Sequence, residues 1–312
     1  MKLSVIIPTK DRSEVFELTF HHAIKALESI DAEIVVVNDS KINEVHIPKT
    51  HIDVSLINNP KSGVASARNL GVSIAKGELL LFLDDDILIN ADNIKAMLII
   101  HQKHQTAAVN LLWTYPPQLI NQIRHSSFGR FLIKHGFTTM KDGLGSEWRN
   151  TELFETDVAA SFFLFMHRDT FHQVGGYNEQ FPHAGYEDFD FSRRMKEQGI
   201  ARLVYTKSIV FHNEIDRVQI KNWLVREQKG AETRAWGAVL GNTELELPTS
   251  SIRGITYRLL RNLKPLMFSL QRILPNSQLM DVFNHRIIHL LLGTSIFQGY
   301  QIGLKDARKG KP

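Results

Sequence analysis

The chain contains no cysteine. That absence excludes a disulfide framework, a thiolate nucleophile and any sulfur-ligated metal, so the chemistry must rest on carboxylates, imidazoles, cationic side chains and backbone dipoles. A reducing cytoplasm suits such a chain, and we expect it there. A secretory leader is also missing from the reading: Lys2 is followed by an apolar run that ends at Pro8, shorter than the apolar region of a signal peptide, so this segment reads as a first strand. Internal repeats and low-complexity tracts are absent. The charge is unevenly placed. The net charge is +4, but from Ser251 onward ten Lys/Arg stand against two Asp/Glu, which leaves the remainder at 27 minus 31, or −4. A nucleic-acid binder would carry its basic stripe on the folded domain beside aromatic platforms, so nucleic acid is not an expected partner.

What is present suffices for one sizeable core with an extension: 312 residues, 43% of them apolar. Leu3 to Ile7 is a β-branched apolar run. Apolar residues at helical spacing from Ser13 to Ser29 follow, then a second run, Ile34 to Val37. A third run, Val54 to Ile57, precedes the turn residues Asn58 to Gly63, a helix from about Val64 to Ala75, and Glu78 to Leu83, the pattern of a strand buried on both faces of a parallel sheet. Such alternation predicts an α/β, Rossmann-like, mostly parallel sheet flanked by helices, with ligands at the carboxyl ends of the strands. Thr9 to Arg12, Asn38 to Ser40 and Asp84 to Asp86 all follow strands and should gather on one edge. Residues 110–155 read as a loop-rich insertion. Beyond it we expect order from Ala159 to Met166, a helix from Glu187 to Gln198, strands at Ala201 to Tyr205 and Ser208 to Phe211, and mainly helix from Asp216 onward.

Two acidic groups stand out. Asp84-Asp85-Asp86 at the end of a buried strand would be costly unless the carboxylates share a cation, and hard divalent ions such as Mg2+ or Mn2+ take carboxylate and phosphate oxygens together. A solvated acidic turn is the competing reading. Glu187 and Asp188 open a helix, whose dipole favours ionised carboxylates and suits Asp188 as a general base; plain helix capping explains them equally well.

In order, Ser4 to Arg12, Ile34 to Ser40, Gly63 to Gly71, Phe82 to Asp86, Gly175-Gly176-Tyr177 and Glu187-Asp188 resemble the motifs of glycosyltransferase family 2, an inverting group with the GT-A fold. The resemblance runs from Leu3 to about His212. It implies a nucleotide-sugar half at 1–109, an acceptor half at 110–215 and a helical extension at 216–312. It further implies that Asp39 holds the base, that Pro8, Thr9 and Arg12 line the nucleoside pocket, and that Arg68 lies near the base or diphosphate. Asp84 and Asp85 would face the nucleotide-sugar, Asp84, Asp86 and His212 the divalent cation, Asp188 would deprotonate the acceptor and Glu187 would hold it. His212 has a simpler reading as a surface histidine after a strand. Asn38 and Asp11 depart from the family's usual Asp and Asn, which leaves UDP-, GDP- and dTDP-sugars open. Arg234-Ala235-Trp236 lacks the tryptophan directly after arginine of the processive synthases, so one sugar per encounter is expected. A nucleotidyltransferase or a non-catalytic scaffold are the alternatives; the first would want a glycine-rich phosphate loop, and Pro8 to Arg12 has no glycine.

Toward the C-terminus, Ile252, Ile255, Leu259, Leu263, Leu266, Leu270 and Ile273 recur at three- and four-residue steps among Arg253, Arg258, Arg261, Lys264 and Arg272, broken near Pro265. This basic amphipathic pattern fits a helix lying on an anionic membrane surface, at the inner face of the cell membrane, or one docked on protein. The acceptor by family analogy is a glycan or a lipid-linked sugar in surface polysaccharide assembly. Ile287 to Leu304 has no formal charge, but His289, three glycines and two glutamines suit a packed or in-plane helix better than a span.

Overall fold

A computed structural model describes residues 2–248 and 252–310. Along the chain run β1 (Leu3–Thr9), α1 (Ser13–Leu27), β2 (Ala32–Asn38), β3 (Asp53–Asn58), α2 (Val64–Ile74), β4 (Leu79–Leu83), β5 (Ile87–Leu88), α3 (Ala91–Lys103) and β6 (Ala108–Thr114). Then come α4 (Pro117–Ile123), α5 (Ser127–Lys134), α6 (Met140–Leu144), β7 (Leu153–Glu155), β8 (Phe163–His167), α7 (Arg168–Val174), α8 (Glu187–Glu197) and β9 (Arg202–His212). The last helices are α9 (Ile220–Val239), α10 (Ile252–Leu260), α11 (Lys264–Ile273) and α12 (Asp281–Ala307). Two compact units result: residues 1–116, 139–179 and 187–213 in the first, and 117–138, 180–186 and 214–312 in the second.

The first unit holds the whole sheet, ordered β3-β2-β1-β4-β8-β6-β9-β5, with β7 paired to β9. Strands β1 to β4, β6 and β9 run one way; β5, β7 and β8 run the other. The apolar runs are buried on both faces because successive side chains alternate. Leu3, Val5, Ile7, Val36, Leu81 and Phe165 pack on one face with α1 and α3. Ile6, Val35, Val37, Phe82, Leu164 and Met166 pack on the other with α2, α7 and α8. Glycine serves the close approach of α2: a Cβ on Gly71 would run into Ile6.

Two sequence expectations need correction. Residues 110–155 are not a loop-rich insertion, since they contain most of β6, then α4, α5, α6 and β7; these elements are too short to show a period. The two strands expected at 201–211 are one strand, β9, whose pairing with β6 jumps from Tyr205 to Ile209 between Leu111 and Leu112. A bulge of this kind interrupts the alternation that marks a strand in sequence.

The second unit is helical. Phe128, Phe131 and Leu132 of α5 pack with Trp223 and Leu224 of α9, Met267 of α11, and Ile288 and Leu291 of α12. Arg130 Nε and Ser127 Oγ both donate to Asp281, at 2.6 and 2.7 Å, and tie α5 to the start of α12. Along α12, a Cβ on Gly299 or Gly303 would run into the carbonyl oxygens of Gln228 or Glu232, so glycine sets how closely α9 and α12 approach. Residues 278–307 are the one helical stretch among the described residues long and apolar enough to cross a membrane by length and composition. Pro265 falls at the start of α11, where its missing N–H costs nothing, and separates it from α10.

Candidate active site

The carboxyl ends of three adjacent parallel strands finish level, with Thr9 opposite Asn38 and Asn38 opposite Asn58. The loops that leave them are therefore neighbours. Asp39, 6% exposed, accepts from Lys10 Nζ at 3.0 Å, Asn59 Nδ2 at 2.7 Å and the Gly63 N–H at 3.0 Å. Gly63 has φ 121°, a conformation that lets the N–H turn back to the carboxylate just before α2 begins. Asp11 is left-handed at φ 55° and accepts from Ser40 Oγ and Asn43 Nδ2, bonds that hold its carboxyl below the usual range. A small cleft of about 60 Å3 opens here, lined by Thr9, Arg12, Phe16, Asn38, Val45 and His46 among others. Pro8 is buried in β1 behind it. Phe16, Val45 and His46 escaped the sequence reading, because nothing local marks them as neighbours of Thr9.

The acidic triplet emerges from β4, which is wholly buried between β1 and β8. Asp85 and Asp86 are 6% and 1% exposed. Arg12 bridges them, Nη1 to Asp85 at 2.6 Å and Nη2 to Asp86 at 2.9 Å, and Thr9 Oγ1 donates to Asp85 at 2.7 Å. Burial pushes the Asp85 carboxyl up to about 6, against the pull of Arg12. On the far side, His212 Nε2 lies 3.2 Å from Asp86 Oδ1, at the end of β9. Trp113, Tyr115 and Phe162 surround the imidazole with ring centroids 5.1 to 6.3 Å away, so His212 is not a bare surface histidine.

Asp84 turns the other way, to Arg68. This arginine is 2% exposed on the inner face of α2; its Nη2 donates to Asp84 at 2.8 Å and its Nη1 to Glu187 at 2.7 Å. Burial works against its charge, yet the two carboxylates hold its pKa far above the ordinary value. The next residue, Asn69, grips the Gly175-Gly176-Tyr177 turn by two bonds of 2.9 Å to the Tyr177 backbone. Gly176 has φ 71°, and a Cβ there would come within 2.9 Å of Asn69 Oδ1, so the turn requires glycine. The Tyr177 ring stacks on Phe191 of α8 at 4.5 Å, which brings the start of α8 beside Arg68.

At that start Glu187 is 2% exposed and paired, and Asp190 is used by its own helix through Arg193 and Arg194. Asp188 has no ion pair among the described residues. Its carboxyl is pushed up to about 8, by burial first and by the Glu187 charge second, with Arg68 and the Phe189 N–H opposing. A carboxylate that releases its proton near neutrality is suited to general-base work.

The arrangement joins the predicted residues into one row. Lys10 links Asp39 to the loop after β1, Arg12 links that loop to Asp85 and Asp86, and Arg68 links Asp84 to Glu187, beside Asp188. Four carboxylates, Asp84, Asp85, Asp86 and Glu187, face two guanidinium groups, so the row has negative charge to spare. With the His212 imidazole 3.2 Å from Asp86, a carboxylate oxygen and a ring nitrogen of the kind that suits a divalent cation stand side by side.

An α/β sheet whose parallel strands end in a cluster of carboxylates has the form of the α/β enzymes that take their ligands at the strand ends. The family pattern of Glycosyl transferase family 2 matches residues 4–175, more than half of the chain, and the chain belongs to that family. A second pattern, described as the N-terminal domain of galactosyltransferase, matches 158–218. The nucleotidyltransferase alternative is thereby set aside. Chondroitin synthase of Pasteurella multocida is 25% identical over 245 residues, 68% of this chain and 25% of that protein. Validoxylamine A glucosyltransferase of Streptomyces hygroscopicus subsp. jinggangensis is 26% identical over 230 residues, 66% of this chain and 54% of that one. An uncharacterized glycosyltransferase of Haemophilus influenzae is 23% identical over 201 residues, with 63% and 62% covered. The match thus spans less than two thirds of the length of these curated relatives. Among solved structures, GalNAc-T7 with UDP, GalNAc and Mn2+ superposes with TM-score 0.52 at 16% identity, over 80% of this chain and 53% of that one. A mannosyltransferase from Pyrobaculum calidifontis with GDP-Man and Mn2+ gives 0.53 at 13% identity, over 96% and 87%. These likenesses show the GT-A fold.

Proposed function

We propose that this glycosyltransferase moves one sugar from a nucleoside diphosphate to an acceptor hydroxyl with inversion, in the cytoplasm, on a glycan or lipid-linked acceptor of surface polysaccharide assembly. One observation carries the reading: a single buried arginine, Arg68, ties the acidic strand end to the helix that presents Asp188, while Asp188 itself has no ion pair among the described residues. A base held at a fixed place relative to the acidic edge is what a one-step displacement requires. Asp39, with Thr9 and Arg12 on the neighbouring loop, receives the nucleoside. Asp86 and His212 would hold Mg2+ or Mn2+, with Asp84, which turns to Arg68, on the nucleotide-sugar side; that ion, when bound, neutralises charge on the departing diphosphate. Arg12 spans Asp85 and Asp86 and limits their mutual repulsion. Asp188 accepts the proton of the acceptor hydroxyl, and Glu187, fixed by Arg68, keeps the base in place and its pKa high. Arg234 donates to the Leu245 carbonyl at 2.9 Å and lies over the Tyr186 ring, so it is engaged within its own unit, in line with transfer of a single sugar.

Support for the cation and the donor class comes from the two structural neighbours, which hold Mn2+ with UDP or GDP-Man. The test is a screen of UDP-, GDP- and dTDP-sugars for hydrolysis with and without Mn2+. Release of one nucleoside diphosphate that requires the ion, and an inverted anomer in the product, is the expected result; release of equal size in EDTA overturns the assignment.

A further inference from the structure

From Ile255 on, the apolar residues of the basic C-terminal pattern lie at the surface of their own unit. Ile255 is 51% exposed, Leu259 70%, Leu263 47%, Leu266 55%, Leu270 45% and Ile273 78%, and Leu279 and Phe283 continue the row at 88% and 54%. The side chains of Ile252 and Arg253 lie outside the described residues. The inward positions of α10 and α11 are filled instead by Leu260, Met267 and Phe268, which pack on Trp223 and on α12. A row of this length left in water is costly, and scattered surface leucines do not explain it.

Cationic groups stand beside the row. A cavity of about 500 Å3 between α10 and α12 is lined by Tyr257, Arg258, Arg261, Phe297, Gln298 and Lys305. Gly293 makes room for the Tyr257 ring, which a Cβ there would run into. Arg258 sits 5.9 Å from the Phe297 ring centroid, and neither it nor Arg261 nor Lys305 has a carboxylate partner among the described residues. Guanidinium and ammonium groups without a carboxylate partner among the described residues, set around one cavity, fit phosphate oxygens.

We infer that the exposed face of α10, α11 and the start of α12 docks on an anionic phospholipid bilayer, with Leu259, Leu266 and their row at the acyl boundary and Arg258, Arg261 and Lys305 on lipid phosphates. Apolar contact and headgroup charge act together here, as for helices that lie in the interface plane. A second copy of the chain would bury the leucines but bring three more unpaired cations to the same contact; a negatively charged surface neutralises them.

Flotation of the full chain with vesicles tests this and reads no sugar transfer, so its outcome is separate from that of the donor screen. Vesicles of phosphatidylcholine with one third phosphatidylglycerol should carry the protein upward, and pure phosphatidylcholine should bind it about tenfold more weakly. Leu259→Glu with Leu266→Glu should abolish flotation. Arg258→Gln with Arg261→Gln should bring binding to anionic vesicles down to the level of phosphatidylcholine, with circular dichroism and melting as in the wild type. Failure of the wild type to float with anionic vesicles overturns the inference. So does a lipid-free dimer that Leu259→Glu dissolves, because the face then belongs to a second copy.

Discussion

At the scale of single residues, Asp188 and Arg68 are opposite cases. Asp188 keeps a proton more tightly in the folded chain, up to about pH 8, than in the unfolded one. Its contribution to stability is therefore complete below the ordinary aspartate range and disappears as pH rises through about 8. Two consequences follow for Asp188→Asn. Transfer should fall by about 10^2- to 10^4-fold while nucleotide binding, measured by calorimetry, stays within a factor of about two. The variant should also melt higher than the wild type at pH 9 by more than it does at pH 5; equal differences at both would mean the carboxyl is not raised. Wild-type turnover should rise with pH toward a plateau above about 8. Arg68, by contrast, neutralises two carboxylates in the interior. Arg68→Met leaves them uncompensated and should cost about 3 to 5 kcal/mol in urea unfolding, and Arg68→Lys should recover little, since one ammonium cannot span both partners.

Among elements, contacts made by glycine set how the pieces meet. Gly176 is left-handed and pressed against Asn69 of α2, so Gly176→Ala should destabilise by about 1 to 3 kcal/mol and lower transfer through displacement of α8. In Gly71→Ala the added methyl meets Ile6 on the sheet, a cost of about 1 to 3 kcal/mol by overpacking. Thermal or urea unfolding of both variants checks these values, and a neutral Gly176→Ala would show that the turn is not held as described. Sequence punctuation reveals such elements unevenly. The turn at Asn58 to Gly63 and the end of the helix expected to run to Gln198 are read directly, because turn residues and the left-handed Gly199 that follows impose the backbone. α4, α5 and α6 are hidden, since five to eight residues do not establish a 3.6-residue period.

For the whole molecule, charge is the organising quantity. The acidic row of the first unit has fewer cations than carboxylates, and the C-terminal helices have the reverse. Mn2+ should therefore raise the melting temperature of the wild type, by an amount that grows with the logarithm of its concentration, and raise it much less in Asp86→Ala. An equal rise in both would place the ion elsewhere. Removal of the ion by EDTA should stop transfer without unfolding, because both faces of the sheet are packed by apolar side chains alone.

The alternation of strands and helices from β1 to β4, the gathering of their carboxyl ends and the place of the acidic triplet were determined by the sequence alone. Apolar runs, turn residues and a five-residue buried strand before three aspartates are local signals, and local periodicity encodes them. Tertiary structure decided which carboxylate meets which cation: Arg12 with Asp85 and Asp86, and Arg68 with Asp84 and Glu187, across separations of 73, 74, 16 and 119 residues. It likewise decided that α5 joins α12 about 150 residues later and that the apolar row of α10 and α11 faces outward. Ion pairs and the choice of a helix's buried face depend on neighbours distant in the chain, and the spacing of residues along one segment carries no record of them.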